Sequence, residues 1–69
     1  MPTILIAEDE GAIAETVLYA LRAEGWQAEH VLLGGEVLPR VRRGGIDLLI
    51  LDVGLPDASG FEVCRALRA

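Results

Sequence analysis

The sequence predicts an α/β protein in which strands and helices alternate as βαβαβα around a doubly wound parallel sheet. Residues 3–7 and 47–52 are short apolar runs that stop abruptly at acidic residues, which is typical of buried parallel strands. Between them, residues 12–24 carry apolar side chains at helical spacing. Parallel strands require right-handed crossovers, so helices should cover both faces of the sheet. A central first strand gives the strand order 2-1-3.

The first helix is predicted over residues 12–24, because Gly25 stands where a left-handed residue would end it. The apolar residues on its predicted buried face are Ile13, Val17, Leu18 and Leu21. A weaker strand is predicted over residues 26–31, where apolar and polar residues alternate only partly. We expect Tyr19 and Trp26 to be packing residues, since the chain lacks the basic groove that accompanies a stacking surface for nucleic acid.

The second helix is predicted over residues 36–43, between the glycine pairs at 34–35 and 44–45. Pro39 has no backbone N–H and is tolerated only in the first turn of a helix, so we expect a short or irregular element. The arginines expected at the solvated end of this helix are Arg40, Arg42 and Arg43.

A loop over residues 53–58 precedes a third predicted helix, which begins with the spacing of a capping box at Ser59 and Glu62. Ser59 is interpreted as a cap rather than a nucleophile, because no histidine-plus-acid arrangement accompanies it. Phe61, Cys64 and Leu67 follow at three-residue steps, and Cys64 is expected to be buried in this helix.

Composition restricts the classes of function. The net charge is −5, from eleven acidic residues against six arginines and no lysine, so the chain should repel nucleic-acid phosphates. One cysteine excludes an internal disulfide and a thiolate metal cage. No apolar run approaches the roughly 18 residues of a membrane span. Residues 1–3 lack the basic start of a signal peptide, so we expect a cytoplasmic protein.

Acidic residues follow two predicted strands and should meet at one edge of the sheet. Glu8 and Asp9 come directly after the first strand, and Asp52 is the last residue of the third. A divalent cation relieves the repulsion between converging carboxylates. Oxygen ligands without a histidine or cysteine cluster favour Mg²⁺ over zinc. Asp52 is then the candidate nucleophile toward a phosphoryl group, and Gly54 lets the backbone approach both metal and phosphate.

A second interpretation of residues 8–10 is an acidic helix N-terminus favoured by the helix dipole, although acids at two aligned strand ends weigh against it. His30, at a strand end, is expected to be a surface or partly packed histidine rather than a base.

These motifs match a known pattern: ILIAEDE at residues 4–10, DLLILDVGLPD at 47–57 and SGFE at 59–62. The chain strongly resembles the receiver domain of two-component response regulators, in particular transcriptional regulators of the OmpR/PhoB type and their CreB-like members. The resemblance implies a flavodoxin-like (CheY-like) fold. It also implies that residues 1–69 are the N-terminal part of a receiver, the remainder and any effector domain being absent from this chain.

By this resemblance, Asp52 is the phosphoacceptor, and a histidine kinase is the phosphoryl donor. Mg²⁺ would be bound by the carboxylates of Glu8, Asp9 and Asp52 and by the backbone carbonyl of Gly54. Receivers of this family catalyse their own phosphorylation and dephosphorylation. Phosphorylation switches a distal face, which promotes dimerisation or releases an effector domain, here expected to bind DNA in the parent protein.

The sequence departs from the family pattern, because receivers have five strands, with a Ser or Thr ending the fourth and a Lys ending the fifth. This chain has no lysine and stops in its third helix, so we expect weak or undetectable phosphorylation of the 69 residues alone. The exposed edge of the third strand predicts self-association.

Other classes of protein fit less well. A haloacid-dehalogenase-type phosphatase needs a second Asp at the position of Gly54, and the acids at residues 8–10 would repel the phosphate of a flavodoxin-like FMN site. No G-x-G-x-x-G motif for a dinucleotide follows a strand. A receiver-like module that mediates interaction or dimerisation without phosphotransfer remains the alternative.

Overall fold

A computed structural model describes residues 2–52 and 54–69; Val53, in the predicted loop, lies outside the described residues. Three parallel strands form one sheet in the order β2-β1-β3, which confirms the predicted order. The elements along the chain are β1 Thr3–Ala7, α1 Gly11–Ala23, β2 Gln27–Val31, a 3₁₀ helix Gly34–Glu36, α2 Val37–Arg42, β3 Leu48–Leu51 and α3 Gly60–Arg68.

The central strand β1 is buried along its whole length, as its apolar sequence predicts. Leu5 pairs in register with Glu29 of β2 and with Leu49 of β3. Polar groups at the start of β1 are satisfied by its neighbours: the Thr3 hydroxyl donates to Gln27 Oε1 at 2.9 Å, and the Thr3 N–H donates to Asp47 Oδ2 at 2.8 Å. These bonds fix the register of all three strands.

The two faces of the sheet are covered unequally. Leu5 and Ala7 point to the face that α2 and α3 cover, where they join the buried cluster completed by Val37, Leu55 and Val63. Side chains alternate along a strand, so Ile4 and Ile6 point to the opposite face, where α1 places the fully buried Ala14. The sheet is therefore a middle layer between helices, as predicted.

The helix α1 begins and ends one residue earlier than predicted, and Gly25 after it has a φ of 87°, as the predicted left-handed cap requires. The prediction of the buried face is wrong for one residue: Ile13 is 52% exposed, while Val17, Leu18 and Leu21 are half-buried. The reason is that Ile13 faces the strand β3, beside Ile50 in an open groove, instead of the sheet centre.

The strand β3 is one residue shorter at each end than predicted and is not buried on both faces. Leu49 and Leu51 pack against the main cluster, whereas Leu48 and Ile50 are 51% and 40% exposed. The apolar sequence of β3 therefore leaves one uncovered face among the described residues.

The packing expected of two aromatic residues is not observed. Tyr19 is 79% exposed on α1, and Trp26 is 42% exposed just before β2. Neither the sequence spacing nor the length of these side chains specifies a neighbour, and the described part of the fold does not cover them.

The helix α2 is short, as Pro39 predicts, and this proline occupies its first turn. It is followed by Gly44 and Gly45 with φ values of 87° and 88°.

The expectation that Arg40 is solvated is wrong. Its side chain is only 15% exposed and forms two hydrogen bonds of 2.7 Å with the Glu29 carboxylate.

The remaining arginines expected at that helix end, Arg42 and Arg43, are exposed as predicted.

Helix α3 starts with the predicted cap, in which the Glu62 N–H donates to Ser59 Oγ at 3.1 Å. Cys64, predicted to be buried, is exposed. The buried side of α3 is formed by Gly60, Val63 and Leu67, because α2 and the sheet contact this side; of the predicted three-residue series, Phe61 and Cys64 are left exposed.

Within the ranges 2–52 and 54–69, no helix is both long and apolar enough to span a bilayer.

Candidate metal centre

The acidic residues meet at the carboxyl edge of the sheet because backbone pairing continues past the strand ends. The Glu8 N–H donates to the carbonyl of Val31 at 3.1 Å, which extends the β1–β2 ladder by one step. The Asp52 N–H donates to the carbonyl of Ala7 at 3.0 Å, which does the same for β1–β3. Asp52 is thus the residue after β3 rather than its last residue, and it stands beside Glu8.

Glu8, Asp9 and Asp52 come together as predicted. One carboxylate oxygen from each lies within 4.8 Å of the others. Opposite ligands of an octahedral Mg²⁺ are about 4.2 Å apart, since each bond is about 2.1 Å, so the three oxygens are close to the size of such a shell. Glu8 and Asp52 are half-buried, and Asp9 is exposed, which leaves an open side for water or substrate.

Hydrogen bonding and charge repulsion within this cluster shift the pKa of one acid. A side-chain hydrogen bond with Asp52 raises the pKa of Glu8 above its usual range, and desolvation and the charges of Asp52 and Asp9 act in the same direction. A backbone hydrogen bond at Glu10 opposes them. The cluster therefore holds more negative charge than its surroundings stabilise, and a divalent cation would compensate for it.

Gly54 lies beside the same cluster. Its N–H donates to Asp52 Oδ1 at 3.2 Å, and a Cβ added at this position would meet nothing within 4 Å. The loop that carries Gly54 is thus open to an approaching group, and the role of its carbonyl as a metal ligand stays a prediction.

A groove of about 240 Å³ runs next to Glu8 and Asp52, between α1 and β3. Its walls include the apolar side chains of Ile13, Val17 and Ile50. Larger grooves of about 470 and 500 Å³ lie between β2 and α2 and between α2 and α3, away from the three acids. The chemistry of the carboxylates, not the size of the groove, identifies the site.

Two contacts near this edge were not predicted. His30, half-buried as expected, places Nε2 at 2.7 Å from the backbone oxygen of Glu8. Asp57 accepts hydrogen bonds from the N–H groups of Gly34 and Gly35, at 2.7 and 2.9 Å. The partners of each contact are 22 or 23 positions apart in the chain, so no local sequence signal could indicate them.

The family model described as "Response regulator receiver domain" matches residues 4–69. Among curated proteins, the chain is 49% identical over 67 residues to the transcriptional regulatory protein CreB of Escherichia coli (strain K12). It is 44% identical over 68 residues to the phosphate regulon transcriptional regulatory protein PhoB of Rhizobium meliloti (strain 1021). These alignments cover 97% and 99% of the chain but only 29% and 30% of the two relatives.

Solved structures show the same similarity. The response regulator protein TrrA of Thermotoga maritima, in complex with Mg²⁺ and BeF, matches with a TM-score of 0.93 at 37% identity. TrrA in complex with the histidine kinase ThkA matches with a TM-score of 0.92 at the same identity. Both alignments cover 99% of this chain and 59% of the other. The predicted CreB-like resemblance and the CheY-like fold are thereby confirmed, and the chain belongs to the response regulator receiver domain family.

Proposed function

We propose that Asp52 is the phosphoacceptor of this chain and that Mg²⁺ binds beside it. The observation that supports this most directly is the cluster of three carboxylate oxygens, from Glu8, Asp9 and Asp52, within 4.8 Å at the open edge of the sheet. Membership in the receiver family and the Mg²⁺ and BeF in the related TrrA structure agree with it.

Asp52 is the acid best placed to act as the nucleophile. Its backbone is fixed by the hydrogen bond to Ala7, and Gly54 donates to Oδ1, so one carboxylate oxygen is oriented by the protein. An oxygen of Asp52 attacks phosphorus in line, the phosphorus–nitrogen bond of a phosphohistidine breaks, and its electron pair returns to the imidazole. The product is an acyl phosphate on Asp52.

Residues of the same edge would hold and orient the cation. We assign Glu8, Asp9 and Asp52 as carboxylate ligands and the backbone carbonyl of Gly54 as the remaining protein ligand. The ion supplies charge neutralisation for the phosphoryl oxygens and for the crowded acids. Its binding would lower the proton affinity of Glu8, whose pKa is raised by its hydrogen bond with Asp52 and by the neighbouring charges.

The partners are inferred from relatives. TrrA has been solved with a histidine kinase, which supports a histidine kinase as the donor to Asp52. CreB and PhoB are named as transcriptional regulatory proteins, which supports a DNA-binding effector domain in the protein that carries this receiver and a cytoplasmic location. The chain spans about 30% of those relatives, so its own residues supply only the phosphoacceptor side of such a regulator.

The 69 residues should be phosphorylated slowly by themselves. They include no lysine, and a cation near the phosphoryl oxygens is the group that stabilises charge in the transition state. An acetyl-phosphate adduct on Asp52 that forms as fast as in a complete receiver would contradict this expectation.

The proposed site is tested by calorimetric titration of the chain with Mg²⁺, with and without beryllofluoride. We expect one Mg²⁺ site, and we expect D52N and E8Q to weaken it by about 10-fold or more, because each removes a charged ligand. Beryllofluoride should bind only with Mg²⁺ present and only when Asp52 is intact. The control is E15Q, which removes an exposed carboxylate of α1.

Equal Mg²⁺ and beryllofluoride binding by D52N and the wild type would overturn the proposal. An interaction module without phosphotransfer, which the exposed Leu48 and Ile50 favour, predicts that result. Calorimetry is a better measure of Mg²⁺ binding than the fluorescence of Trp26, because this tryptophan is far from the proposed site. Trp26 precedes β2 and so lies at the amino edge of the parallel sheet, opposite the acids.

A further inference from the structure

The backbone of Glu8 is held at both of its peptide groups by β2. Its N–H donates to the Val31 carbonyl at 3.1 Å, and its carbonyl lies 2.7 Å from Nε2 of His30. The strand β2 ends at Val31, so the second of these bonds is made by a side chain where a longer strand would have used a backbone amide.

We propose that His30 is a positioning residue that sets the direction of the two metal-site acids Glu8 and Asp9. This inference rests on the proposed Mg²⁺ site. His30 does not contact the metal or the phosphoryl group in this assignment. It acts through the peptide that it holds.

Because of its position, this hydrogen bond restrains the directions of two side chains. The Glu8 carbonyl belongs to the peptide plane that joins Glu8 to Asp9, and that plane is rigid. A donor on this carbonyl therefore restrains ψ of Glu8 and φ of Asp9, and with them the Cα–Cβ directions of both acids. Because α1 begins only at Gly11, this three-residue connection has little other regular structure to restrain it.

The chemistry of the contact defines which substitutions preserve it. A backbone carbonyl only accepts, so Nε2 of His30 carries the hydrogen that is donated. Glutamine places its amide nitrogen the same number of bonds from Cα as Nε2, so H30Q can keep the donor. Phenylalanine keeps a ring of similar shape without a donor, so H30F removes it.

A matched control exists on the same strand. Arg22 of α1 donates from Nη2 to the carbonyl of Ala28 at 2.8 Å, which is also a bond from a side chain to the backbone around β2. Neither Arg22 nor Ala28 belongs to the acid cluster. R22M therefore tests what the loss of such a bond does to the fold without acting on Glu8.

The experiment measures Mg²⁺ affinity by calorimetry for the wild type, H30F, H30Q and R22M, at a temperature where thermal melts show each to be folded. Loss of a partner that orients a metal ligand typically weakens binding by about 10-fold or more, which we expect for H30F. H30Q should restore most of the affinity, and R22M should bind like the wild type. In metal-free protein, the amide resonance of Asp9 should shift in H30F and not in R22M.

Wild-type affinity in H30F, or an equal loss in R22M, would overturn the role of His30. If H30Q were as weak as H30F, the donated hydrogen bond would not be the cause, and the inference would also be wrong. A wild type that binds no Mg²⁺ would overturn the proposed function itself, and the first titration of the series separates that result from the others.

Discussion

At the scale of single residues, the pKa values of two carboxyl groups near the same edge of the sheet are shifted in opposite directions. Asp57 accepts from two backbone N–H groups, those of Gly35 and Gly34, which hold its pKa below its usual range. Glu8 shares a hydrogen bond with Asp52 and faces further negative charge, which raises its pKa. The hydrogen bonds of ionised Asp57 therefore stabilise the fold, whereas the negative charge around Glu8 would be compensated by a cation.

The hydrogen bonds of Asp57 join the loop before α3 to the 3₁₀ helix Gly34–Glu36, which is distant in sequence. Gly34 is buried, and a Cβ there would lie 3.1 Å from Val63 and 3.3 Å from the Asp57 carboxylate, so the glycine allows the close approach. The loop tied down in this way leads from Asp52 to α3.

Substitution of Asp57 should change the acid stability of the protein. The folded-state pKa lies below the unfolded value of about 3.8, so ionised Asp57 contributes stability above that pH. This contribution is lost as the pH falls through the lowered folded pKa. We expect D57N to be less stable than the wild type at pH 7, with a difference that shrinks below about pH 4.

Urea unfolding between pH 2 and pH 7 measures this difference, and Glu24→Gln, which removes an exposed carboxylate at the end of α1, is the control. Parallel stability curves for D57N and the wild type across this range would show that the two N–H bonds do not favour the ionised form.

At the scale of elements, the start of α3 depends on a local signal that the structure reproduces. Ser59 adopts an extended backbone, with φ of −77° and ψ of 149°, and its hydroxyl accepts from the N–H of Glu62. The helix so begun presents Val63 and Leu67 to the main apolar cluster. The cap thus connects a four-residue sequence pattern to the packing of the core.

Removing this cap should cost stability without changing the metal site. We expect S59A to lower the free energy of unfolding by about 1 kcal/mol, because one N–H of the first turn loses its acceptor. S59D should lose much less, since aspartate also caps helices. Urea denaturation gives both values, and equal loss in the two variants would indicate that the hydroxyl contributes by packing.

At the scale of the whole molecule, the coverage of the sheet is asymmetric. Helices α2 and α3 cover one face, while α1 leaves Leu48 and Ile50 of β3 exposed on the other. Among the described strands, β3 pairs only with β1, so its second edge also presents backbone groups. Apolar surface next to such an edge is typical of association.

Self-association of the 69-residue chain therefore remains our prediction. We expect its sedimentation coefficient to rise with concentration, and I50K to shift the distribution toward monomer, because a lysine on this face would have to be desolvated in a contact. Y19K is the matched control, since Tyr19 is exposed on α1. A wild type that sediments as a monomer at all concentrations would exclude this prediction.

The sequence by itself determined the features that depend on neighbours in the chain. Apolar runs ending in acids predicted β1, β3 and the position of the acidic cluster, and Ser59 and Pro39 predicted how two helices begin. The alternation of elements then restricted the topology to a parallel sheet, because crossovers of one hand connect such strands.

Only the tertiary structure decided the features that depend on which surfaces face each other. Periodicity placed Ile13 and Cys64 on apolar faces, but the sheet and α2 contact other sides of those helices. Arg40 pairs with Glu29, which is 11 positions away in the chain. His30 contacts the backbone of Glu8, which is 22 positions away. Such contacts depend on how elements lie in space, which local propensity does not encode.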